Sequence, residues 1–180
     1  MSMTEADIIK LAVETGVNAA LDHIERQRRK ESKSRHDRRL RNTRLLLKNY
    51  QLLKDHCDKA VYTMQQATAE NAIDILDSLN KYDGDVFIES IKKSRSRTYI
   101  ILTHVDTMLE LYEAYCQKSK REEDPRRYRV LKACYFDNVE MSDIMRLEGI
   151  EERTYYRDIR DGCEKLSALI FGVDGLIDMT

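Results

Sequence analysis

Apolar positions recur at intervals of three and four residues through most of this chain, the period of amphipathic helices. From Thr4, read as an N-cap, to about Glu25 the stripe is Ile8, Leu11, Ala12, Val13, Val17, Ala20, Leu21 and Ile24. It runs into a charged stretch with no glycine or proline to stop it. After Arg44, the residues Leu46, Tyr50, Leu53, Cys57, Ala60, Met64 and Ala67 alternate at four and three, a helical packing seam. That seam can pair within the chain or between two copies; Cys57 and the two alanines make a weak zipper and favour packing within. Helical patterns resume at Ala69 to Leu79, break at Tyr82, Asp83 and Gly84, and return from Asp85 to about Lys118 as one central core helix. Its apolar residues are Phe87, Ile91, Ile101, Val105, Met108, Leu109, Tyr112 and Tyr115.

The polar stretch Ser119 to Pro125 holds the only proline and marks the expected domain boundary, giving a helical region 1–124 and a second domain 125–180. Arg126 to about Asp137 leads the second domain, with Val130, Leu131, Cys134 and Tyr135, joined by Phe136, facing the two helices C-terminal to it. Met141 to Leu166 then reads as a short helix, a glycine turn and a longer helix. Ile144, Leu147 and Ile150 supply apolar groups to the first helix and the turn, and Gly149 stands where a tight connection demands a positive φ. Tyr155, Ile159, Cys163 and Leu166 share one face of the second helix, while Arg153, Thr154, Tyr156, Arg157 and Arg160 fall mostly on the other. A helix with a packed rear and a front of guanidinium, hydroxyl and phenol groups suits the major groove, where arginine binds guanine edges bidentately. An ordinary amphipathic hairpin with a solvated charged face has the same spacing. Leu169 to Val173, with Gly172 and Gly175, reads as an apolar tail folding back after a glycine stop. The expectation is an all-α protein.

The run DIMRLEGIEERTYYRDI resembles the promoter-reading C-terminal domain of sigma factors, and more closely the ArpU/RinA-like phage late-gene transcriptional regulators. Two further blocks carry the same resemblance: LSALIFGVDGL at Leu166 to Leu176 and RRLRNTRLLLKNY at Arg38 to Tyr50, so it spans roughly Arg38 to Leu176 in three ordered segments. The resemblance implies a sigma-like helix-turn-helix after a helical N-terminal region. It also implies an activator of phage or prophage late genes that contacts RNA polymerase in a bacterial host cell.

The net charge of −1 conceals an uneven distribution. From Glu25 to Lys48 eleven lysines and arginines face three acids, a net of +8 that suits a phosphate backbone. From Arg126 to Ile170 nine basic residues balance nine acidic ones. Affinity and base reading therefore divide, with Arg38, Arg39, Arg41 and Arg44 expected to anchor phosphates while the later helix reads bases. A solvated helix or flexible arm that binds nothing carries the same charge.

With 42% hydrophobic residues general disorder is unexpected, and with no long apolar run or signal-peptide core the expectation is a cytoplasmic protein without a membrane partner. The four cysteines and four histidines are scattered without metal-ligand spacing, so reduced thiols and no metal or cofactor are expected. No phosphate-binding glycine loop or nucleophile beside a base is recognisable, so the chain is not read as an enzyme. Ser94, Ser96 and Thr98, set among basic residues, could touch phosphates or lie on a helix surface leading into the core.

These readings converge on a DNA-binding transcription regulator, monomeric or a homodimer, with double-stranded promoter DNA as its partner. Two alternatives stand beside it. One is a phage DNA-packaging subunit resembling a small terminase, which should form a large ring. The other is an interaction protein that binds a sigma factor or polymerase without touching DNA.

Overall fold

The structure is a computed structural model that describes residues 5–58, 72–79, 82 and 84–172, with side chains described from residue 14 onward except at 58 and 73. Eight helices and no strands occur among these residues. They are α1 (Glu5–Lys48), α2 (Tyr50–Asp58), α3 (Ala72–Leu79), α4 (Gly84–Lys92), α5 (Arg95–Lys118), α6 (Glu123–Tyr135), α7 (Met141–Glu148) and α8 (Glu152–Ile170). The all-α expectation holds.

The chain divides into two compact units, Met1–Asp37 and Arg38–Thr180. In the first, α1 carries every described residue, so the basic stretch is helical and not a flexible arm. All its side chains from Glu14 to Glu31 are exposed. Thr4, the expected cap, lies outside the described residues.

The second unit is built around α5. Helices α2, α3, α4, α6 and α8 all pack on it, α6 packs on α8, and α7 packs on α6. One apolar cluster runs from Leu46, Leu47 and Leu53 through Leu76, Phe87, Ile91, Ile101, Val105 and Tyr112 to Leu131, Cys163, Leu166 and Ile170. The boundary expected at Ser119 to Pro125 is therefore only a break between α5 and α6. Tyr112 on one side stacks edge-on against Tyr128 on the other, with ring centroids 5.9 Å apart. Proline accounts for the misreading: Pro125 sits in the first turn of α6, where its missing N–H costs no helical hydrogen bond.

Two helices expected to be single elements are each divided. The seam at Leu46 to Ala67 breaks at Asn49, whose side chain donates to the Leu45 carbonyl at 2.9 Å. Leu46, Tyr50 and Leu53 are buried within the chain; Ala60, Met64 and Ala67 lie outside the described residues, as do Ala69 and Asp83. The expected helix from Asp85 to Lys118 breaks at Ser94, an extended residue whose hydroxyl accepts the Arg97 N–H at 3.3 Å. Serine competes for the backbone and starts a new helix. Thr98 is fully buried, with its hydroxyl on the Ile91 and Ser94 carbonyls, so it is a core residue and not a phosphate contact, while Ser94 caps α5.

Among the described residues no helix is long and apolar enough to cross a membrane.

Candidate nucleic-acid interface

Helices α7 and α8 are joined by Gly149, Ile150 and Glu151. Gly149 is left-handed, φ 62° and ψ 38°, and its N–H and that of Ile150 both return to the Met145 carbonyl. A side chain there would be strained, which is why glycine ends α7. Ile144 is buried against Val130 and Tyr155, with Ile150 packed beside them. Leu147, expected to join that packing, is 76% exposed. Beside it, Arg129 crosses to Glu148 with Nε and Nη2 at 2.8 and 2.7 Å, a polar pair that holds α7 to α6.

The rear of α8 follows its periodicity. Tyr155, Cys163 and Leu166 are buried and Ile159 is half-buried. The Tyr155 hydroxyl donates to Cys134 Sγ at 3.1 Å, and burial raises its pKa well above the ordinary phenol range. Burial likewise pushes the Cys163 thiol up to about 11, against the opposing effect of the nearby Arg44 guanidinium. At Gly162 helices α6 and α8 come close: a Cβ there would lie 3.4 Å from Leu131 Cδ1.

Set into this apolar rear is a charged lock. Asp158 is wholly buried and accepts Arg126 Nε at 2.7 Å, with Arg127 Nε at 3.6 Å from its other oxygen. Arg127 also reaches Asp124 at 3.0 Å and Asp161 at 3.3 Å. Buried charges persist only when paired in this way, so the network dictates how α8 lies on α6.

What remains outward on α8 is the edge formed by Tyr156, Arg160, Arg153 and Arg157, all exposed and spanning about 100° of the helix at 3.6 residues per turn. Among the described residues no carboxylate lies within ion-pair reach of Arg153 or Arg157. Arg160 is bound to its neighbour Asp161 at 2.9 Å, Tyr156 is T-stacked on Tyr155, and Thr154 is half-buried at the margin.

Comparison with family models, with curated proteins and with solved structures finds no match to this chain.

The four arginines expected to anchor phosphates do not share one environment. Arg38, Arg41 and Arg44 are exposed. Arg39 is 5% exposed; its Nη2 lies 3.0 Å from Asp77 and its guanidinium stands 5.0 Å from the Phe171 ring centre. Arg39 is thus a core residue bridging α1, α3 and the end of α8, and it leaves the anchor set. Arg44 is tied to α8 through Cys163.

Sequence reading passed over Asp158, Arg126 and Arg127. One signal was available: Asp158 follows Tyr155 by three residues, on the packed side of α8, where an acid is anomalous.

Proposed function

We propose that this protein is a sequence-specific, DNA-binding transcription regulator in which α7, the Gly149 turn and α8 act as the helix-turn-helix. The observation that carries the reading is the outward edge of α8: Arg153, Arg157, Arg160 and Tyr156 are presented together while the rear of the helix is pinned by apolar packing and by Asp158. A rigidly held helix with arginines projecting from one edge is suited to the major groove, where a guanidinium donates to guanine O6 and N7 together.

The segment Arg126 to Ile170 is charge-balanced, so base reading there needs phosphate contacts from elsewhere. Arg38, Arg41 and Arg44 supply exposed cations of the right kind. The resemblance to ArpU/RinA-like regulators directs the reading further, to an activator of phage or prophage late genes. RNA polymerase is then the protein partner, and Leu147 is an exposed apolar group available for such a contact.

The test is selection of duplexes from a random pool by the full chain, followed by titration of the selected and scrambled duplexes. Enrichment of one sequence, lost in the Arg153→Ala and Arg157→Ala proteins, is the expected result. A folded protein that enriches nothing would transfer the reading to a polymerase- or sigma-binding protein.

A further inference from the structure

A second feature is independent of DNA reading and lies in the first unit. Short isolated helices are marginal in water, and most helical stability comes from packing an apolar face. Yet α1 from Glu14 to Glu31 is exposed on every side, and Val17, Leu21 and Ile24, spaced at four and three, are 52%, 54% and 47% exposed. They form an apolar stripe on one side of a helix. Local pairing offers little compensation: Glu25 and Arg29 are 3.7 Å apart and well solvated. Gly16 sits in the same stretch with no atom within 4 Å of where its Cβ would stand, a residue that weakens a solitary helix.

The charge sequence of the helix indicates what covers the stripe. Residues 5–25 carry five acids and one lysine, net −4, whereas residues 26–37 carry six lysines and arginines and two acids, net +4. A second copy laid parallel would set acid against acid and Arg26, Arg28, Arg29 and Lys30 against themselves. Laid antiparallel, each acidic half meets the basic half of the other copy, and the opposed helix dipoles also attract. The stripe sits near the junction of the two halves, so apolar contact and charge complementarity favour the same arrangement.

We propose that the stripe Val17, Leu21, Ile24 is a homodimer interface in which two α1 helices pair antiparallel, with the midpoint near Leu21. Position 24 of one copy then faces the region of residue 18 of the other. The basic stretches Arg26 to Arg35 of the two copies point in opposite directions from a common centre.

Sedimentation of the full chain from low to high micromolar concentration, with the Leu21→Glu variant in parallel, tests the dimer. The wild type is expected to dimerise and Leu21→Glu to raise the dissociation constant at least about tenfold, with unchanged circular dichroism. Orientation is read by placing p-benzoylphenylalanine at Ile24 in a mixture of isotope-labelled and unlabelled chains and mapping the photo-cross-links. Cross-links between copies to residues 15–21 support the proposal. A monomer at every concentration, cross-links confined to one chain, or cross-links from 24 to 24 would each overturn it. None of these readouts involves DNA, so they are separable from the outcome of the duplex selection.

Discussion

Arg126 holds Asp158 through two nitrogens, Nε at 2.7 Å and Nη2 at 3.4 Å, although Asp158 is completely buried in the rear of α8. The carboxylate in turn holds the Arg126 guanidinium, whose pKa it raises chiefly by that hydrogen bond. The outward arginines of α8 owe their orientation to this inward acid. Asp158 is enclosed by the protein and positions the helix that presents those arginines.

Asp158→Ala should therefore destabilise the protein by about 3–5 kcal/mol, because two arginines at the α6–α8 contact lose their counter-charge. Urea unfolding followed by circular dichroism measures this. Asp158→Asn keeps one acceptor and should fall between the two. Wild-type stability in the alanine variant would show that the network does not hold α8.

The outward edge should behave in the opposite way. Arg153→Ala and Arg157→Ala remove exposed side chains and should leave stability within about 0.5 kcal/mol of wild type. Each should weaken a selected duplex by about 1–3 kcal/mol if its guanidinium meets a base. Scrambled duplex should respond much less, and an equal loss on both would make these arginines phosphate contacts.

Arg39 and its neighbours on α1 offer a contrast within one short segment. Arg39→Ala breaks a partly buried pair with Asp77 and a ring contact with Phe171, and should cost about 1–3 kcal/mol of stability. Replacing Arg38, Arg41 and Arg44 together should instead lower the log–log salt slope of DNA binding by about one unit per lost phosphate contact. Sequence preference should survive. An unchanged slope in the triple variant removes this part of α1 from the phosphate backbone.

Alkaline pH should destabilise the protein through its buried thiols and phenols. Burial raises the Cys116 and Cys163 thiols from 9.0 to about 11, and raises the phenols of Tyr112, Tyr128, Tyr135 and Tyr155 further above their ordinary value of 10.0. Each group ionises more readily in the unfolded chain. Their contribution to stability is therefore complete below about pH 9, falls as the unfolded thiols and then phenols ionise, and is lost once pH passes the folded values. Denaturant midpoints measured between pH 8 and pH 11, together with tyrosinate absorbance, should show stability declining before the buried phenols titrate. A flat midpoint across that range would contradict the burial of these groups.

Much of the helical architecture was legible without coordinates, because a 3.6-residue period is a local property and each amphipathic segment displays its own packed face. Tyr155, Cys163 and Leu166 lie inward as their spacing indicates, and Gly149 takes the left-handed turn that its position between two helices requires. Helix breaks were less legible. Ser94 interrupts a continuous apolar pattern by accepting a backbone N–H with its side chain, a competition that hydrophobic spacing does not register.

The sequence by itself determined that the chain is helical, that the charge is concentrated in Glu25 to Lys48, and which face of the last helix is apolar. Tertiary structure alone decided which charged residues remain at the surface. Arg39 is buried by Asp77, 38 positions away, while Arg38 and Arg41 beside it stay exposed; Asp158 is buried by Arg126, 32 positions away. The same decision joined residues on both sides of Pro125 into one core, where composition had indicated a boundary. For the two buried charges the physical reason is the same. Charge and periodicity are carried by neighbours in sequence, whereas the desolvation of a charge, and the partner that makes it tolerable, depend on what the folded chain brings within a few ångströms.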